Sequence, residues 1–291
     1  TFAFDALGRK NTGTNPLGSL SYSYLGETDQ LLKYGIGKNV SATLEYEPNT
    51  GDRRLRSISN QGAARDFQYQ TNAQSLITSM VDSGAAGGSQ ARTWTYNYDA
   101  ADRVLGSSSS DGSAYGYAYD PADNITAWQA PSGNKSATYN AVNQITTMAG
   151  VSLVHDAAGN QIEDAQRTYQ WDADSRLVGI AYKSQPNLKS EFRYDGMGRR
   201  VAIIETSDAG VTETRYLWCG SKICQARDAI DTVTRHYFKE GEYRVLGPQR
   251  LFYGLDNLGS VRDVSWVASG NVASSFDYDP YGNLVQSSGS T

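Results

Sequence analysis

The chain is poor in the residues that build reactive and metal sites. Among 291 residues there are two cysteines, two histidines and three methionines. Cys219 and Cys224 lie close together in Cys219-Gly220-Ser221-Lys222-Ile223-Cys224, and no local His or further Cys completes a metal-ligand set around them. No metal, cofactor or catalytic residue is assigned. No run of 18 or more apolar residues occurs, so no helical membrane span is expected. The formal net charge is −5, which lacks the basic footprint of a nucleic-acid partner. No 3.6-residue amphipathic pattern persists, so no helix is predicted.

What is abundant is tyrosine (20) and glycine (29), and they recur in a pattern. An aromatic is followed by Asp, a short turn-forming stretch, then often Arg and an aliphatic. The copies are Phe4-Asp5-Ala6-Leu7-Gly8-Arg9, Tyr98-Asp99-Ala100-Ala101-Asp102-Arg103, Tyr119-Asp120-Pro121-Ala122-Asp123-Asn124, Trp171-Asp172-Ala173-Asp174-Ser175-Arg176, Tyr194-Asp195-Gly196-Met197-Gly198-Arg199 and Tyr278-Asp279-Pro280-Tyr281-Gly282-Asn283. Looser copies start at Tyr24, Tyr46, Tyr69, Tyr139 and His155. The steps between starts are mostly close to twenty residues and fall to 16 on either side of His155. Two strands of about 5–6 residues plus two turns use about that length, so each repeat reads as one β-hairpin.

Large rings sit two apart before each motif, as in Trp94/Tyr96/Tyr98, Tyr115/Tyr117/Tyr119 and Phe276/Tyr278. Residues i and i+2 share a strand face, so one face is expected to be aromatic and the other small and polar. The motif Asp is expected to accept a backbone hydrogen bond from two residues on, and Gly or Asn in the fourth to sixth motif position to supply a positive φ. These aspartates therefore read as turn formers rather than catalytic groups. The rings read as stacking between adjacent repeats, worth about 0.5–1.5 kcal/mol per pair beyond burial. Rows of Tyr and Trp also stack on sugar rings, which keeps carbohydrate binding as the alternative.

The repeat array covers residues 1–201, with 1–80 its degenerate end and 92–201 its most regular part. Residues 202–291 lose the period but stay strand-rich and are read as continuous with the array. Ser83-Gly84-Ala85-Ala86-Gly87-Gly88-Ser89 reads as a flexible excursion from the sheet. Gly35-Ile36-Gly37-Lys38 lacks the full phosphate-loop spacing and reads as a hairpin turn. His155 occupies an aromatic slot of a repeat, and His236 has no nucleophile beside it. A hairpin could bring Cys219 and Cys224 within disulfide reach; paired and free thiols both remain open.

The Tyr-Asp-x-x-Gly-Arg pattern resembles the YD repeat of the Rhs (rearrangement hotspot) proteins. Asp256-Asn257-Leu258-Gly259-Ser260-Val261-Arg262 is similar to that family's Asp-His-Leu-Gly-Ser-Val-Arg block, with Asn257 where His is usual. Tyr278-Asp279-Pro280-Tyr281-Gly282 resembles the block that follows it. The resemblance implies an all-β hairpin array that forms a curved spiral sheet or part of a hollow shell. It implies a structural, non-enzymatic segment of a longer bacterial polymorphic toxin, secreted or at the cell surface, which encloses a C-terminal toxin or other protein cargo. Adhesion through the aromatic faces, as in teneurins, is the competing role. The family's self-cleavage segment is expected to lie outside this chain; Asp120-Pro121 and Asp279-Pro280 are read as repeat turns. Partners are then the rest of the longer chain, the cargo, further copies pairing through free sheet edges, or a glycan.

Overall fold

The computed structural model describes residues 1–62, 64–84 and 90–289. Its strands form two antiparallel sheets in which neighbours in space are neighbours in sequence. Fifteen strands run from Phe2–Phe4 to Val151–Ser152, and fourteen from Val154–His155 to Leu284–Gly289. Among the described residues the helical content is one 3-10 turn, Asn49–Gly51. Such order follows from hairpin connection, since a two-strand repeat pairs first with itself and then with the next repeat.

The ladder is interrupted once, at Leu153, where one uninterrupted array was expected. The cause is in the spacing. On either side of His155 the repeats shorten to 16 residues, too few for two full strands, and the strands there shrink to Val151–Ser152, Val154–His155 and Gln161–Glu163. The excursion read at residues 83–89 falls largely on positions 85–89, outside the described residues.

Most motifs carry a β-bulge that the alternation did not reveal. Tyr194 pairs with Arg200 while Arg193 pairs with Ala202, leaving Val201 as the extra residue. The same one-residue slip follows Trp171 (Val178), Tyr98 (Leu105) and Tyr278 (Val285). A bulge bends its strand and raises the local twist, and here it recurs once per hairpin.

The chain divides into two compact units, Thr1–Gly116 with Phe238–Thr291, and Tyr117–Tyr237. In the first unit, strands from the two ends of the chain pack face to face over Leu17, Ile36, Val40, Phe67, Leu251 and Phe252, each at most 1% exposed. Cross-contacts fix the packing. Tyr22 donates its hydroxyl to Glu240 at 2.9 Å, Arg250 Nε reaches the Pro16 carbonyl at 2.9 Å, and the Asn257 amide reaches the Tyr69 hydroxyl at 3.1 Å. Gly62 and Gly270 allow the closest approach, since a Cβ on Gly62 would lie 2.5 Å from the Gly270 carbonyl oxygen. In the unit Tyr117–Tyr237, Cys219 and Cys224 are joined by a disulfide across the hairpin of Gly210–Cys219 and Lys222–Arg227.

Candidate functional site

Two arrangements concentrate the polar chemistry of this chain. The first is the repeat turn itself. In Asp195–Arg199 the carboxylate Oδ1 accepts the backbone N–H of Met197 (2.9 Å) and of Arg199 (3.0 Å), while Oδ2 takes Arg199 Nε at 2.8 Å. The backbone closes reciprocally, with Asp195 N–H donating to the Arg199 carbonyl and Gly198 N–H to the Asp195 carbonyl. Those hydrogen bonds, side-chain first, hold the Asp195 carboxyl below its ordinary range. Asp99, Asp120, Asp172 and Asp279 make the same turn with Arg103, Asn124, Arg176 and Asn283.

The residue three after the aspartate takes the positive φ: Gly198 (73°) and Gly282 (82°), but also Asp102, Asp123 and Ser175. The conformation is set by the hydrogen bonds around it, so a non-glycine is tolerated at a cost.

The motif ring locks one repeat to the one before. Tyr194 donates its hydroxyl to the Leu177 carbonyl (2.8 Å), Tyr98 to Ile77 (2.7 Å), Tyr139 to Ile125 (3.0 Å) and Tyr278 to Val261 (3.1 Å); Trp171 donates its indole N–H to Gln161 (2.7 Å). Every acceptor lies five residues after the preceding motif's Asp or Asn. The motif Arg then covers the next ring: Arg176 over Tyr194 at 5.4 Å, Arg199 over Trp218 at 5.7 Å, Arg9 over Tyr24 at 4.5 Å. Ring-on-ring contact between repeats was expected and occurs between Trp94 and Tyr115, 6.0 Å apart; at the repeats above a guanidinium meets the ring instead, which adds a cation–π attraction to the Asp–Arg pair.

The block 256–262 is one more such turn, with Leu255 in the ring position. Asp256 Oδ1 accepts Leu258 and Ser260 N–H, both at 3.0 Å, and Gly259 has φ 79°. Val261 accepts from Tyr278, which joins the two blocks. Turns at Asn72–Leu76 and Asp228–Thr232 also share the geometry, although their sequences lack the Tyr and Gly that mark the motif. At Asp279-Pro280 the carboxylate is spent on Tyr281 N–H, Asn283 N–H and the Asn283 side chain, the contacts of a repeat turn.

The second arrangement is a buried charge cluster in the unit formed by Thr1–Gly116 and Phe238–Thr291. Arg65, 0% exposed, ion-pairs with Asp82 (3.3 Å), Asp263 (3.3 Å) and Asp277, and donates to the carbonyls of Arg262 (2.7 Å) and Phe276 (3.0 Å). Arg262, the bulge residue of the 256–262 turn, reaches Asp82 (3.4 Å), Asp277 (3.3 Å) and Asp256 (3.5 Å). Arg92 closes the set on Asp277 at 2.8 Å. Burial pushes the Asp277 carboxyl up, but the guanidiniums of Arg65, Arg92 and Arg262 outweigh it and the net direction is down. A proton-sharing acid pair needs one carboxyl raised. The arrangement at Asp277 is that of a charge clasp. Among the described residues no group of three His, Cys, Asp or Glu side chains is placed to hold a metal.

Alternation placed Asp277 on the small, polar face, opposite Phe276 and Tyr278. The structure buries it at 5% exposure, because the arginines replace its hydration. Arg65, Asp82, Arg92 and Asp263 carry no motif and were not legible as site residues. The one signal was at Asp277, a charged residue between the rings of Phe276 and Tyr278.

These features have parallels in known proteins. The curated tRNA3(Ser)-specific nuclease WapA of Bacillus spizizenii is 27% identical over 188 residues, covering 62% of this chain and 8% of that protein. Toxin protein Tse5 of Pseudomonas aeruginosa is 25% identical over 191 residues, covering 60% of this chain and 14% of its own. The chain thus spans only a small part of these relatives. The crystal structure of TcdB2-TccC3 without its hypervariable C-terminal region superposes over 100% of this chain and 17% of that one, at 16% identity and a TM-score of 0.76. The family described as Teneurin YD-shell matches residues 66–291. With the ring, turn and arginine recurring in one geometry through that range, the chain is a member of the teneurin YD-shell family.

Proposed function

We propose that this chain is a wall segment of a shell that encloses a toxin or other protein cargo, and that it is itself not an enzyme. One observation carries the reading: the motif side chains are consumed in joining repeat to repeat. Ring hydroxyls go to backbone carbonyls, aspartates to their own turns, and arginines to both, which leaves a scaffold rather than a reactive site. Membership of the YD-shell family and the fold shared with TcdB2-TccC3 support the same role. The cargo would be a domain of the same longer protein, secreted or displayed at the cell surface. No helix among the described residues is long and apolar enough to cross a membrane, which is compatible with that placement.

Within the wall, residues 1–201 would form the repeat array and 202–291 a core-like closing segment continuous with it. The 256–262 block would act there as the clasp, bringing Arg262 onto Asp82. Free edges would be covered by the rest of the longer chain or by another copy. A glycan-binding role has weaker support, because tyrosines of the motif rows donate their hydroxyls inward to the backbone.

The test is protease protection in the full-length protein. The C-terminal cargo should resist trypsin in the native protein and become cleavable in Arg65→Ala under conditions where the isolated cargo is rapidly cut. Equal cleavage of the cargo in both would remove the reading.

A further inference from the structure

Trp218-Cys219-Gly220-Ser221-Lys222-Ile223-Cys224 is a further copy of the repeat turn, written in other residues. Trp218 stands in the ring position. Its indole N–H donates to the Arg200 carbonyl at 3.0 Å, and Arg200 lies five residues after the preceding motif's Asp195. Arg199 covers the Trp218 ring at 5.7 Å and donates to the Gly220 carbonyl at 3.0 Å, so the preceding turn grips this one. Gly220 supplies the positive φ, at 65°. The bulge follows as well. Trp218 pairs with Ile223 while Leu217 pairs with Gln225, which leaves Cys224 as the extra residue, in the slot that Val201 fills one repeat earlier.

The lock of the turn is what differs. At Asp99, Asp120, Asp172, Asp195 and Asp279 the residue after the ring offers a carboxylate, and that carboxylate accepts two backbone amides. Here that residue is Cys219, which has no carboxylate to offer, and the ring and its paired residue stand one residue closer in sequence than Tyr194 and Arg200. A disulfide runs instead from the aspartate slot to the bulge slot. A bulge residue has no ladder partner, so the covalent bond is what ties it to the turn. Cys219 is exposed and Cys224 half-buried, which leaves the bond open to a dissolved thiol.

We propose that the Cys219–Cys224 disulfide is a redox-sensitive form of the repeat-turn lock. Oxidised, it closes the hairpin of Gly210–Cys219 and Lys222–Arg227; reduced, it releases the turn at 218–224 while the Asp-led turns stay closed. The reductant is a dithiol. One of its thiolates attacks Sγ of Cys219 and breaks the bond to Cys224, which leaves as a thiolate. The second thiolate displaces Cys219, so the reductant ends as a disulfide, and two electrons with two protons leave both cysteines as thiols. The lock belongs to the turn whether or not the chain is a wall. In the wall proposed above, 218–224 is where a reducing compartment loosens it.

The experiment is hydrogen exchange on the intact protein, first oxidised with glutathione disulfide and then treated with dithiothreitol. Cys219 and Cys224 should be alkylated by iodoacetamide only after reduction. Amides of 218–225 should then exchange about tenfold faster or more, and those of 195–199 by less than about twofold. Re-oxidation should restore protection. Cys219→Ser with Cys224→Val should exchange fast with or without reductant; if that variant fails to fold, the reduction and re-oxidation cycle of the native protein decides. Thiols alkylated without reductant, unchanged exchange at 218–225, or an equal acceleration at 195–199 overturns the lock. The trypsin test reads the cargo and this one reads the turn, so each reading can fail alone: protected cargo with a reductant-blind turn keeps the wall and removes the lock.

Discussion

Tyr117–Tyr237 and the unit of Thr1–Gly116 with Phe238–Thr291 use the same repeat turn, yet they bury different things. Among the described residues of Tyr117–Tyr237 the buried apolar side chains are Ala137, Ala202, Ile204 and Ala226, and the buried charged and polar side chains all belong to the other unit. That other unit has one sheet facing another, with Phe67, Leu251 and Phe252 enclosed and Arg65 clasped by three aspartates. The repeat is thus sufficient for a ladder. A core forms only where one sheet covers another, because an uncovered sheet face has nothing on which to bury its rings.

The contrast breaks most readily at Arg65. Arg65→Ala leaves Asp82, Asp263 and Asp277 buried without their shared cation and should cost about 3–5 kcal/mol. Hydrogen exchange should speed up in 1–116 and 238–291 and stay unchanged in 117–237; equal loss in both would erase the distinction. Acid should act in the same order. Asp277 has its carboxyl depressed in the folded state, so its contribution is present above the unfolded value of about 3.9 and is lost as pH falls through the lower folded value. Amide protection in 1–116 and 238–291 should therefore decay as pH falls below about 3.9, and Asp277→Asn should flatten that slope. An unchanged slope would mean the clasp contributes nothing to acid stability.

Within Tyr117–Tyr237 the turn can be tuned both ways. Gly198 holds φ 73° with no atom within 4 Å of a would-be Cβ, so Gly198→Ala should cost about 1–2 kcal/mol through conformation alone. Ser175 holds the equivalent place at φ 56°, and Ser175→Gly should gain part of that amount in urea unfolding. If both changes have the same sign, the shared geometry is not what sets the energy. The smallest effect is expected at the lock between repeats: Tyr194→Phe removes the bond to Leu177 and should cost about 0.5–1.5 kcal/mol. A thermal melt unmoved by that change would show the ring acting by packing only.

The strands, the hairpin period and the Asp-led turn were legible because each depends on residues within a few positions. Asp195, Gly198 and Arg199 meet inside one turn, and the pattern that names them also builds them. The bulge at Val201 was less visible, since it is a property of pairing rather than of composition. Turns without the motif rings, such as Asp228–Thr232, were hidden because the geometry needs the carboxylate and the backbone and not the flanking letters.

By itself the sequence determined an antiparallel, hairpin-connected array with a fixed turn, because side-chain alternation and Asx hydrogen bonding are local. Tertiary structure alone decided which faces are buried, that Asp277 points inward and Arg65 meets it across 212 residues, and that the Trp94–Tyr98 row walls a cavity. The reason is desolvation: a strand face becomes interior only when another sheet removes its water, and no residue carries the address of the sheet that will do so.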